Sequence, residues 1–107
     1  MLSGYRLVWL LVMFDLPVKT KAQRKKATIF RKFLLDQGFE MAQFSVYLRF
    51  CGSREQADTY VRRIGPQVPG RGQVSILRFT DKQYESMWCY TGREKKQPKN
   101  PEQYVLI

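Results

Sequence analysis

No histidine occurs among the 107 residues. That excludes Ser-His and Cys-His nucleophilic machinery, imidazole acid–base catalysis and histidine metal sites. Hydrolysis would have to rest on a carboxylate, a bound metal ion and activated water. Cysteine is scarce as well. Cys51 and Cys89 show no metal-ligand spacing and need not pair, and two cysteines fit a reducing cytoplasm. Long apolar runs are missing. Leu7–Phe14 is the longest and falls far short of the roughly 20 residues of a spanning helix. It ends in Phe-Asp-Leu-Pro rather than in a small-residue cleavage site, so neither a membrane association nor a signal peptide is expected. There is no internal repeat and no Gly-rich phosphate loop.

Acidic residues are few: 9 against 19 lysines and arginines, for a net charge of +10. A charge that high on one small domain points to a polyanionic partner, nucleic acid before an anionic membrane face. The charge is concentrated. Residues 1–35 carry eight basic residues and one acid, Asp15. Hydrophobic residues make up 44%, enough for a folded core.

"RLVWLLVMF" (Arg6–Phe14) is apolar without alternation and reads as a central strand covered on both faces. Pro17 closes it. "TKAQRKKATIFRKFLLDQG" (Thr20–Gly38) reads as a helix with a Thr20–Gln23 capping box and a Gly38 stop. At about 100° per residue, Ala22, Ala27, Ile29, Phe30, Phe33 and Leu34 share one face. Lys21, Arg24, Lys25, Arg31 and Lys32 fall opposite, while Lys26 falls on the apolar side and must snorkel out.

"AQFSVYLRF" (Ala42–Phe50) alternates strictly and reads as a strand. "SREQADTYVRRI" (Ser53–Ile64) is a second helix with a Ser53–Gln56 box. Gly65–Gly72 is a loop, Gln73–Thr80 a strand, "DKQYES" a helical turn and Met87–Thr91 a short strand. The order β-α-β-α-β, with extra short strands, predicts an α+β, ferredoxin-like sandwich, βαββαβ. That fold needs a hairpin between the helices, so the alternating stretch must break; Gln43–Ser45 is the expected place. Residues 1–91 would form this domain. Gly92–Glu102 reads as a mobile linker, and the apolar "QYVLI" (Gln103–Ile107) as an extra C-terminal strand. That strand would pair with a sheet edge, either of its own chain or of a second subunit in a homodimer.

Two features carry chemistry. Asp15 ends the first strand, where side chains in such folds meet ligands. Flanked by Lys19, Lys21 and Arg24, it should stay ionised. It suits Mg²⁺, a hard cation that takes carboxylate and phosphate oxygens. The structural alternative is a hydrogen bond to the Leu16–Pro17 turn. The second feature is the cationic helix stripe, spaced to follow a phosphate backbone. Ser45 and Arg49 could help place a phosphate. Stacking aromatics are not evident, because most aromatic residues fall at core-facing positions; that favours duplex backbone contact over single-strand reading. It also counts against an RNA-binding or toxin-like module.

In this order, "MFDLP" before a basic helix, "GFEMAQFSVYLR", "PGRGQVSILRFTDKQY" and "PEQYVLI" resemble the CRISPR-associated Cas2 family over nearly the whole chain. The "MFDLP" and "QFSVY" versions are most similar to those of type II systems. The resemblance implies a ferredoxin-like homodimer whose terminal strand completes the partner's sheet. It implies a part in spacer acquisition, where the dimer bridges integrase subunits and holds foreign duplex DNA. It also implies, as in some members, a Mg²⁺-dependent nuclease acting on RNA or duplex DNA. The catalytic and metal residue of that activity maps onto Asp15. The nucleic-acid contacts would come from Lys19, Lys21, Arg24, Lys25, Arg31, Lys32 and Arg49.

Overall fold

The structure, a computed structural model, describes residues 7–92 and 94–96. Strand β1 (Val8–Asp15) leads into helix α1 (Lys21–Asp36), then strands β2 (Glu40–Gln43) and β3 (Val46–Cys51). Helix α2 (Arg54–Ile64), a short 3-10 turn (Gly65–Gln67) and strand β4 (Gln73–Thr80) follow. Short helix α3 (Asp81–Glu85) and the strands β5 (Cys89–Thr91) and β6 (Glu94–Lys96) end the described chain. The main sheet is ordered β2-β3-β1-β4, and its neighbours are all antiparallel. This is the ferredoxin-like α+β fold. No helix among the described residues is long and apolar enough to cross a membrane.

Strand β1 is central, as its composition predicts. Its even positions, Val8, Leu10 and Val12, are buried in a core with Phe30 and Leu34 of α1 and with Ala57 and Ile64 of α2. Both helices therefore lie on one face. The odd positions face the other way, and there the expectation of cover on both faces fails. Among the described residues Trp9 alone of these is fully buried, under Tyr84 of α3, whose ring stacks at 4.1 Å, while Leu11 is half-buried beside it. The indole N–H of Trp9 donates to the buried Asp81 carboxylate at 2.8 Å.

Helix α1 starts as the sequence indicates. The Thr20 hydroxyl accepts from the Gln23 N–H at 3.0 Å, and the Gln23 side chain accepts from the Thr20 N–H at 3.1 Å. Its inward row is narrower than expected. Phe30 and Leu34 are buried, but Ala22 is exposed and Ile29 is 54% exposed. Ile29 sits one residue, about 100°, from Phe30, which swings it off a stripe only one sheet wide. At α2 the Ser53 hydroxyl caps the Gln56 N–H, while the Gln56 side chain reaches one residue further back, to the Gly52 N–H at 2.7 Å.

The alternating stretch breaks where the fold demands it. Phe44 and Ser45 form the turn between β2 and β3, and Ser45 takes φ +61°. The register shifts between Met41 and Gln43. The linker expected from Gly92 is corrected in part: Glu94–Lys96 pairs with Cys89–Thr91 as a two-stranded ribbon. The proposed strand Gln103–Ile107 lies outside the described residues.

Arg49 ties the helical layer together. Its Nε donates to the Gln37 carbonyl at 2.8 Å, Nη1 to the Phe50 carbonyl at 2.8 Å and Nη2 to the Tyr60 hydroxyl at 2.6 Å. The guanidinium also lies 4.0 Å from the Tyr60 ring centroid. Three elements, α1, β3 and α2, meet at this side chain.

Gly72 is demanded by close approach. It has φ +94°, and a Cβ there would lie 2.5 Å from the Asp15 carbonyl oxygen. Gly72→Ala therefore combines an unfavourable φ with a backbone clash and should cost about 1–3 kcal/mol. Urea unfolding followed by circular dichroism reads this, and an unchanged midpoint would remove the close-approach argument. Arg49→Ala strands the Gln37 carbonyl and the Tyr60 hydroxyl and should cost roughly 2–3 kcal/mol in the same assay. Arg49→Lys should recover little of that loss, since one ammonium cannot span the fork.

Candidate functional site

Asp15 is the last residue of β1 and an odd one, so it shares the open sheet face with Trp9, Leu11 and Met13. The register sets its surroundings. Across β4, Asp15 pairs with Gln73, Met13 with Ser75 and Leu11 with Leu77. Across β3, Met13 pairs with Val46 and Leu11 with Leu48. The open face is thus apolar with a carboxylate at its end. Leu77 is 51% exposed and Met13 44%.

The Asp15 side chain is exposed and makes no hydrogen bond or ion pair among the described residues. The alternative reading, a bond to the Leu16–Pro17 turn, is not what the structure shows. What holds the backbone here is Gly72 packed against the Asp15 carbonyl and the Phe14 N–H donating to the Ser45 carbonyl at 3.0 Å. The donor chemistry suits a hard cation, since a free carboxylate oxygen faces solvent. No group of three or more His, Cys, Asp or Glu residues is gathered for a metal among the described residues.

The basic residues of α1 divide into two sets. Lys21, Lys25 and Lys32 are exposed on the side turned from the sheet, as helical spacing from Phe30 and Leu34 requires. Arg24 and Arg31 flank the helix toward the β2–β3 hairpin, where both line a groove. Arg24 is folded back: its Nη1 donates to the Val18 and Lys19 carbonyls, each at 3.1 Å. Lys19 is exposed in the same turn. Asp15, Lys19 and Arg24 are therefore brought to one end of the sheet.

Arg49 is not. It pairs across Leu10, five residues back along β1 and roughly 17 Å away, on the helix-covered face. Its donors serve protein carbonyls and Tyr60. Ser45 lies next to the strand end through its bond with Phe14. Burial pushes the Cys51 thiol above its ordinary pKa, against the opposing Arg49 charge, so it stays a protonated core group.

Two further cations stand near the strand end, and of these only Arg71 escaped sequence reasoning. Lys26 and Arg71 line a small cleft with Leu16 and Pro17. Arg71 reads only as part of a loop, and its nearness to β1 follows from Gly72 meeting Asp15, which no local pattern announces. The aromatic residues also need correction. Phe44 is 92% exposed, Trp88 76% and Tyr90 66%, so core-facing placement holds for β1 and β3 but not for the hairpin tip or around β5.

The chain matches the family model for CRISPR associated protein Cas2 over residues 8–87. It is similar to three curated proteins, each named CRISPR-associated endoribonuclease Cas2. The protein from Paracidovorax avenae is 56% identical, with all of both chains covered. That from Flavobacterium psychrophilum is 45% identical over 99% of this chain and 92% of its own. That from Parvibaculum lavamentivorans is 45% identical over 94% of this chain and all of its own. A family match over residues 8–87 and relatives this similar over nearly their whole length place it: the chain belongs to the CRISPR-associated Cas2 family.

Proposed function

We propose that the protein is a homodimeric CRISPR adaptation protein that holds foreign duplex DNA for the integrase subunit during spacer acquisition. The uncovered apolar sheet face carries this reading. The exposed Met13 and Leu77 forgo about 25 cal/mol for each Å² that a partner could bury. A second copy is the partner that presents the same apolar face, paired about a two-fold axis. Such a dimer carries two copies of α1, and with them two sets of Lys21, Lys25 and Lys32. Each lysine that meets a phosphate releases a condensed counterion, which is the main source of duplex affinity.

A second reading rests on the free Asp15 carboxylate and on the endoribonuclease names of the relatives. Pairing of the open faces would put both Asp15 residues on one interface, where they would hold Mg²⁺. Bound there, Mg²⁺ would lower the pKa of a water and polarise the phosphate. Lys19 and Ser45, at the same end of the sheet, would orient the nucleic acid. Arg49 has no part in this step, because its fork is engaged on the other face.

Lys25→Glu with Lys32→Glu should weaken duplex binding and flatten its salt dependence by roughly 0.9 log unit per lost phosphate contact. Titration at several salt concentrations measures the slope, and an unchanged slope would sink the lysine assignment. Leu77→Arg places a charge on the apolar face and should convert dimer to monomer in sedimentation. The same variant should no longer form the ternary complex of protein, integrase subunit and duplex DNA. Failure of the wild type to join integrase would overturn the bridging role. End-labelled duplex DNA and single-stranded RNA, incubated with Mg²⁺ or EDTA, test the second reading. Cleavage that needs both Mg²⁺ and Asp15 establishes it, and equal cleavage by Asp15→Ala rejects it.

A further inference from the structure

A groove of about 1020 Å³ runs between α1 and the β2–β3 hairpin, with Phe14 and Tyr47 of the sheet among its lining residues. That volume is at the upper end of what small-ligand sites hold. Its rims are apolar and open. Val18 and Leu35 stand on one side and Met41 and Phe44 on the other, all of them exposed. Phe44, at the hairpin tip, has almost none of its surface covered. A solitary exposed phenylalanine is ordinary, but four large apolar side chains around one concavity are not.

The floor is polar and prepared. Tyr47 is 1% exposed, its ring stacked on Phe14 at 5.7 Å, and it lines the groove. Its hydroxyl makes no hydrogen bond among the described residues. The Arg31 guanidinium stands close enough to act on that hydroxyl through space, and it too has no hydrogen bond or ion pair among the described residues. Burial raises the Tyr47 pKa, with Arg31 opposing, so the phenol keeps its proton at neutral pH and can donate. A forked guanidinium beside a phenol O–H, in a largely apolar setting, is a carboxylate-reading pair. Glu40 is the one acid on the groove wall, against Arg24 and Arg31.

We propose that this groove binds a polypeptide segment of a partner protein, an apolar side chain packed on the exposed Met41 and Phe44 rim with a neighbouring carboxylate held by Arg31 and Tyr47. The positive floor complements an acidic group, and the aliphatic rims complement a hydrocarbon side chain. A nucleic-acid strand would satisfy the first and leave the second in water. Exposed aromatic and arginine side chains around one pocket are the composition of interface hot spots. The site lies on the helix side of the sheet, away from the open face.

A phage-displayed random peptide library selected on the wild-type protein tests this directly. Enriched peptides should carry Asp or Glu within a residue or two of Leu, Phe, Met or Ile. Phe44→Ser should weaken the enriched peptides about tenfold or more, and Arg31→Glu likewise. Tyr47→Phe keeps the ring and loses the hydroxyl, so it should weaken them by a factor of roughly 3 to 10. Circular dichroism melts confirm that each variant folds. Binding of a duplex DNA oligonucleotide to Phe44→Ser is read in parallel and should match wild type. No enrichment, enrichment of peptides without an acid, or enriched peptides that bind all three variants like wild type would overturn the proposal. A loss of duplex binding by Phe44→Ser with peptide binding intact would give the groove to nucleic acid instead, and would equally overturn it.

Discussion

The structure depends on one constraint: β1 is apolar on both faces, and among the described residues α1 and α2 cover one of them while only the short α3, over Trp9, reaches the other. Val8, Leu10 and Val12 are sealed under α1 and α2. Trp9 is sealed on the other side by α3, through Tyr84 and the bond to Asp81. The remaining odd positions face outward beside apolar residues of β3 and β4. A sheet in this state has a finished side and an unfinished one. Hydrophobic free energy scales with area, so the unfinished side is a standing drive toward association.

The position of Asp15 follows from the same strand. An eight-residue strand that begins with an inward Val8 ends with an outward Asp15, because side chains alternate strictly. A slip of one residue would bury the carboxylate and expose the core row, which the register with β3 and β4 forbids. Gly72 then brings the β4 approach against the Asp15 carbonyl. The capping box at Thr20 starts the basic helix within five residues. Local turn chemistry and strand parity together put a lone acid at the foot of a positive helix.

Much of this was legible in the sequence, because the signals involved are local. The box at Thr20, the period of α1 and the alternation from Ala42 each depend on a few adjacent residues. Even the break at Gln43–Ser45 could be placed by requiring a hairpin between the helices. What could not be read was pairing across the chain. The alternation at Val46, Leu48 and Phe50 shows that one side is apolar, yet not that the helices cover the other side, with Tyr47, Arg49 and Cys51. For the same reason Arg49 looked like a phosphate ligand. Its engagement by Gln37 and Tyr60 joins residues 11 and 12 positions away, which no periodicity reveals. Ile29 was misplaced inward because hydrophobicity states a preference for burial and not the width of the surface available to satisfy it.

The lone acid also bears on how the positive charge is used. Eight basic residues share the first 35 positions with Asp15, and none pairs with it among the described residues. The reason is geometric. Arg24 turns back to the Val18 and Lys19 carbonyls, Lys21, Lys25 and Lys32 point away from the sheet, and Arg31 lines the groove toward the β2–β3 hairpin. Exposed ion pairs contribute little to stability, so leaving Asp15 unpaired costs the fold almost nothing. It leaves a carboxylate and a cationic helix both available to partners outside the chain. The two stand on opposite sides of the sheet: the helix turns its lysines away from the sheet, where a phosphate backbone could meet them, and Asp15 lies on the open face. That separation of like functions on one short stretch of chain is what an unpaired acid in a basic segment accomplishes.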